Sequence, residues 1–271
     1  MAKNNTALGV IIFMIIVLLI IAAVLWIPLV NSDSDEESTG EPIMLNYESE
    51  EAVAPLRGLV LYLPFDGNAD DDSVFENHAK ENKAEFISDS VSGTALEVEA
   101  DNKEYVAFGN TLNLGNGDFT ISLWLKDFDS SQNHFVISKG DGYATKGYDI
   151  RGNDNSISIR ISDGKNKEVL SVSNVEAGIK RGKWNHLVWT VDKDEEIKLY
   201  VNGMLVESKN IKSVGNLDSG NSFMIGCLNW NSEESENSCD NPFGTDMKLD
   251  ELRIYKRVLT NDEVKDLYLV R

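Results

Sequence analysis

The chain has 271 residues, 42 % of them hydrophobic, which permits a sizeable core and excludes disorder throughout. Its 45 acidic residues against 25 Lys and Arg leave a net charge of −20, which repels phosphate backbones, so no nucleic acid is expected as a partner. Five Trp, eight Tyr, ten Phe and 20 Gly with only five Pro suit a turn-rich β protein better than a helical bundle.

After a short polar start over residues 1–7, the run Leu8 to Val30 carries no charge and is interrupted only by Gly9 and Pro28. At about 1.5 Å per residue it is long enough to cross a hydrocarbon core of about 30 Å, so residues 8–30 are expected to form a transmembrane helix. Lys3 precedes the run, and Asp33, Asp35, Glu36 and Glu37 follow it. That asymmetry favours a cytoplasmic amino terminus and makes the chain a single-pass membrane protein with an extracytoplasmic carboxyl-terminal domain. The alternative is a cleaved signal peptide ending near Val30-Asn31-Ser32, although its apolar region would be about 7 to 15 residues. Residues 31–56 hold eight acidic residues and no basic one, a composition expected of an extended, self-repelling stalk. From Arg57 onward 24 basic and 37 acidic residues remain, a charge of −13.

Beyond Gly58 the apolar period is two. Residues 59–63, 119–125, 156–161 and 197–201 are short alternating runs bounded by Gly, Asn and Asp, and are expected to be strands. Asn202-Gly203, set between Leu199-Tyr200-Val201 and Met204-Leu205-Val206, predicts a two-residue hairpin turn whose central positions both need positive φ. Cys227 and Cys239 lie twelve positions apart in a Ser-, Asn- and Glu-rich stretch and can close as a disulfide in an oxidising exterior. By the chain-entropy estimate that loop gains about 3 kcal/mol. A zinc pair is the alternative, but His78, His134 and His186 are remote in sequence. Near the end, Thr260-Asn261-Asp262-Glu263 reads as a capping box and predicts one short helix through about Tyr268, with Val264, Leu267 and Tyr268 on one face. Many short strands and a single helix imply antiparallel sheets packed face to face.

Four stretches then carry a family resemblance: residues 58–67 (GLVLYLPFDG), 118–125 (DFTISLWL), 184–203 (WNHLVWTVD leading to LYVNG) and 249–260 (LDELRIYKRVLT). Together they resemble the LamG-like jelly roll of the concanavalin A-like lectin/glucanase superfamily over residues 57–271. The resemblance implies an all-β sandwich of two antiparallel sheets whose first and last strands lie close together. Its members bind glycans, bind proteins or are purely structural, so function has to be argued from sites.

Laminarinase-like relatives hydrolyse β-glucans with carboxylates spaced alternately along one strand. No such strand occurs here: Glu195 and Glu196 are adjacent, Asp192 and Asp194 look like turn residues, and no serine sits in a nucleophile elbow. His186, within a strand signature, is read as a packing residue, and no enzyme is expected. Asp66, Asp70, Asp71 and Asp72 crowd the loop after the first strand. If Leu252 and Ile254 face the core, alternation puts Asp250 on the same inward side, and an inward acid needs a partner. Relatives often hold a structural calcium where the first-strand loop meets the last strand, and the resemblance makes Asp66, Asp72 and Asp250 the matching ligands. The alternative is that the aspartates make turns and Asp250 accepts backbone hydrogen bonds.

For a ligand, Trp230 with its neighbour Asn229, inside the 227–239 loop, offers an indole face for a sugar and amides for its hydroxyls. Tyr143 and Tyr148, in a Gly-rich stretch, are further candidates, whereas Trp124, Trp184 and Trp189 sit in strand patterns and are expected in the core. The sequence thus predicts a membrane-anchored, extracytoplasmic, non-catalytic carbohydrate-binding or adhesion module whose partner is a glycan or a cell-surface protein. A structural or protein-interaction domain of a surface assembly is the second reading, and a glycoside hydrolase the third.

Overall fold

A computed structural model describes residues 52–99, 103–128, 134–140, 146–228, 239 and 246–270. The expected anchor, most of the stalk, Tyr143, Asn229 and Trp230 lie outside the described residues. Among the described residues no helix is long and apolar enough to cross a membrane.

Alternating and β-branched sequence forms fifteen strands among these residues. The first eight are β1 (Leu59–Leu63), β2 (Glu81–Asn82), β3 (Glu85–Ile87), β4 (Ala95–Val98), β5 (Val106–Ala107), β6 (Phe119–Lys126), β7 (His134–Lys139) and β8 (Lys146–Gly152). There follow β9 (Ser156–Asp163), β10 (Lys167–Ser173), β11 (Asn185–Val191), β12 (Glu196–Val201), β13 (Met204–Asn210), β14 (Phe223–Ile225), β15 (Met247–Tyr255) and a helix, α1 (Asn261–Leu269). One sheet runs β13-β12-β11-β6-β15-β4-β3 with β1 also paired to β15, and the other runs β10-β9-β8-β7-β14-β5-β2. Every pairing is antiparallel. The first and last strands are neighbours, and the fold is the expected two-sheet, jelly-roll-like sandwich with one short carboxyl-terminal helix.

The core lies between the sheets. Phe119, Ile121, Leu123 and Leu125 of β6 and Leu187, Trp189 and Val191 of β11 turn inward against Ile157, Ile159 and Ile161 of β9. Each such fully buried side chain contributes about 1.5–3 kcal/mol relative to exposure. Tyr148 belongs to this set. It is 1 % exposed, packs 5.7 Å from the Phe119 ring and donates its hydroxyl to the Leu112 carbonyl at 3.0 Å. Alternation along β8 turns Tyr148 and Ile150 to the same inner side, so Tyr148 is a core residue and offers no free face to a sugar.

Local signals shape the rest. Asn202 (φ 51°) and Gly203 (φ 77°) make the expected hairpin turn between β12 and β13. Thr260 caps α1 and exchanges hydrogen bonds with Glu263, as the capping box requires. Val264 and Leu267 of α1 then pack with Val188, Tyr200, Tyr255 and Leu259 on the outer face of the larger sheet. At the sandwich flank the outermost strands β13 and β10 are tied by Lys209, whose ammonium bonds Glu168 at 2.8 Å and the Val169 carbonyl at 2.9 Å. Where the chain enters the domain, Arg257 Nε donates to the Arg57 carbonyl at 2.7 Å while its guanidinium grips Glu263 of α1 at 2.6 and 2.7 Å.

β15 departs from simple alternation. Met247, Leu249, Leu252 and Ile254 all face the core, because Glu251 adopts φ 53° and the register with β6 shifts between Asp250 and Arg253. This bulge carries Asp250 to the outer face, opposite Trp124, rather than to the inward side that alternation predicts. Cys227 and Cys239 form the expected disulfide, with Cα atoms 5.8 Å apart.

Candidate functional site

The outer face of the larger sheet is only partly covered by α1. Beside the helix lies an open groove of about 450 Å³. Its floor and one wall are aromatic: Trp124 projects outward from β6, Trp184 leads into β11, and Tyr268 comes from the last turn of α1. Trp124 stacks on Tyr268 with ring centres 5.7 Å apart and planes at 23°, and His186 adjoins both at 5.0 and 6.0 Å. Asn202 adds an amide, that of Asn185 is buried and bonded to Lys180 and Lys183, and Ser90 and Val91 form the opposite lip. Asn202 is held by its own turn, since its side chain accepts from His186 N at 3.0 Å and its N–H donates to the His186 carbonyl at 2.8 Å. The Nε1 of Trp184 is buried and meets no acceptor among the described residues.

Of the three tryptophans expected in the core, Trp189 and Trp124 are buried, at 0 and 4 % exposure, with Trp124 beneath the groove, and Trp184 is half-buried in its lining. The outward parity of Trp124 relative to Ile121, Leu123 and Leu125 was legible in the strand pattern, but the packing of α1 beside it was not.

The lip is set by Asp250. Its Oδ2 accepts from the N–H groups of Val91 and Ser92 at 2.7 and 3.2 Å, and its Oδ1 from that of Glu251 at 2.9 Å. Asp66 accepts from Thr94 N at 2.8 Å, and Asp72 is an exposed turn residue whose own N–H bonds the Tyr62 carbonyl at 2.8 Å. Two of the three carboxylates expected to share calcium, those of Asp66 and Asp250, thus serve different backbone groups, and that of Asp72 is exposed. Among the described residues no three acidic, His or Cys side chains are disposed to hold a metal ion. The residues present do not fit the calcium site that the resemblance implied.

Acid–base chemistry meets similar obstacles. Ser122 Oγ lies 2.9 Å from His186 Nε2, yet Nδ1 of His186 has no partner among the described residues. Burial, with the Arg253 charge second, holds the ring down at about 3, so it is neutral at physiological pH. Asp250 and Glu251 are both buried, and Glu251 is taken up by Arg253 at 2.6 Å and the Tyr62 hydroxyl at 3.1 Å. A second concavity, of about 370 Å³, is lined by Glu97, Glu99, Asp127, Asp246 and Lys248 without an aromatic residue. Its Lys248 is bound to Asp89 at 3.0 Å and Asp127 at 3.3 Å.

The pattern of the concanavalin A-like lectin/glucanases superfamily matches residues 100–265. Paraclostridial mosquitocidal protein 1 of Paraclostridium bifermentans is 30 % identical over 163 residues, which is 56 % of this chain and 12 % of that protein. The solved binding domain of the same protein superposes with a TM-score of 0.62 at 19 % identity, covering 78 % of this chain and 52 % of that one. The binding domain of botulinum neurotoxin DC, solved in complex with SialylT, gives 0.59 at 16 % identity, covering 78 % and 50 %. A further structure of that domain is in complex with rat synaptotagmin II. The chain spans about half the length of these solved domains and a small part of the whole mosquitocidal protein.

Proposed function

The chain belongs to the concanavalin A-like lectin/glucanases superfamily, and on that premise we propose that it is a non-catalytic glycan-binding module whose ligand seats in the groove of Trp124, Trp184 and Tyr268. The observation that carries this reading is the combination, in one open concavity, of the half-buried rings of Trp184 and Tyr268 with the half-buried amide of Asn202. Aromatic rings cover the apolar side of a sugar ring, and an amide meets its hydroxyls. A neutral, sealed histidine and carboxylates already bonded to the protein support binding over hydrolysis.

The same proposal places the module outside the cell, held by residues 8–30 as a membrane anchor on the acidic segment that follows. The uncharged run of the sequence and the disulfide, which persists in oxidising compartments, support this placement. Protease treatment of intact cells should remove the domain, and survival of the epitope until lysis would contradict an outward orientation.

The groove is tested by Trp184→Ala, whose half-buried ring can be removed without touching the core. Glycan binding on a polysaccharide array should be lost, by at least tenfold, while the melting temperature stays within about 2 °C. Binding that survives the substitution would remove the groove from consideration. The second reading, a protein-interaction domain, draws support from the complex of a structural relative with synaptotagmin II. Array silence from a folded chain would favour it.

A further inference from the structure

We infer that the groove selects anionic sugars, those carrying a carboxylate or sulfate. This deepens the glycan reading above and rests on it. In a chain of net charge −20, positions 180–183 read Lys-Arg-Gly-Lys, and both lysines line the groove, where none of the described lining residues is acidic. Neither lysine pairs with a carboxylate among the described residues. Lys126, Lys198, Lys209 and Lys248 do, at 2.6, 2.5, 2.8 and 3.0 Å; Lys180 and Lys183 differ from the other unpaired surface lysines in lining an aromatic groove together. Arg181, between them, makes an exposed contact with Asp154 at 3.8 Å.

The turn that presents them is built from beneath. Asn185, 1 % exposed, accepts from Lys180 N at 2.9 Å through Oδ1 and donates through Nδ2 to the carbonyls of Lys180 at 3.0 Å and Lys183 at 2.7 Å. Lys183 N closes the turn on the Lys180 carbonyl at 3.3 Å, and Gly182 supplies the left-handed step with φ 67°. The backbone carrying the two ammonium groups is therefore ordered before a ligand arrives, which lowers the entropy lost on binding. Aromatic faces hold the sugar ring, and the ammonium groups meet its acid as point charges. The surrounding acidic surface repels long polyanions, so the attraction is local and strongly salt-dependent.

The test uses the purified full chain, checked for folding by circular dichroism. Alginate and hyaluronan disaccharides and sialyllactose serve as anionic probes, and dextran and lactose as neutral ones. Expected are binding of at least one anionic probe over both neutral ones, weakening between about 0.05 M and about 0.5 M salt, and a loss on the order of tenfold for Lys180→Gln with Lys183→Gln. Trp184→Ala should abolish the same binding. Neutral probes bound as well as anionic ones, with no effect of the lysine substitutions, would overturn the inference and leave the glycan reading standing. Anionic binding that survives both the lysine and the Trp184 substitutions would place the charge recognition elsewhere and also overturn it. Silence from every probe with a folded chain would remove the glycan reading together with the inference.

Discussion

At Asp71 the loop after β1 is organised by one side chain that is 2 % exposed. Its Oδ1 accepts from the N–H groups of Tyr62 and Ser73, both at 2.9 Å, and its Oδ2 from the Ser73 hydroxyl at 2.9 Å and Asn77 N at 2.8 Å. Asp71→Ala would leave these donors without an acceptor and should destabilise the domain by roughly 2–4 kcal/mol in urea unfolding. Asp72→Ala, at an exposed position, should change it by less than about 0.5 kcal/mol. Nothing in the run Asp70-Asp71-Asp72 distinguishes the three in sequence, because the turn geometry alone decides which one faces in.

Asp250 presents the opposite electrostatics. Burial pushes its carboxyl up to about 7 despite the Val91 and Ser92 N–H groups that favour the charged form, and the neighbouring Glu251 charge adds to the rise. A folded value above the unfolded one means that the native state holds a proton the unfolded chain has released. The contribution to stability is therefore full below about pH 4 and lost as the pH rises through about 7. Unfolding free energy should fall across that window with a slope approaching about 1.4 kcal/mol per pH unit from this group. Asp250→Asn should remove that slope, and an unchanged slope would assign it to another residue.

At the scale of elements, α1 is held mainly by packing rather than by its own nine residues. Leu267→Ala, at a fully buried position, should cost about 2–5 kcal/mol, and Thr260→Ala, which removes the cap, about 1 kcal/mol. Both are read by denaturant unfolding, and the reverse order would mean that the helix is docked by its cap. This helix and the Asn202-Gly203 hairpin were legible in the sequence because each depends on two to four adjacent residues. The bulge in β15 was not: its positive φ falls on Glu251, a residue type that gives no local signal for that conformation. The error carried through to Asp250, whose expected face was reversed. The groove failed to show for a related reason, since Trp124 and Tyr268 are 144 positions apart and meet only because α1 folds back over the sheet. Trp230 and its loop drew attention for their composition, which says nothing of the distant residues that make a concave surface.

For the molecule as a whole, stability should be independent of divalent cations. Asp66 and Asp250, two of the three carboxylates that the family resemblance assigned to calcium, are occupied by the chain's own N–H groups, so adding a chelator should leave the thermal midpoint of the full chain unchanged within about 1 °C. A drop of several degrees would reveal a metal bound elsewhere. The clamp at the domain entrance has a mechanical consequence. Any tension carried by the segment before residue 57 arrives at the Arg257 grip, and through Glu263 at α1, before it reaches the β1–β15 ladder. The load then peels β1 from its Tyr255 end, breaking contacts in sequence rather than together. A domain pulled through residue 57 should yield first at this corner, and Tyr268, which lies on the same helix, would carry that force to the proposed groove.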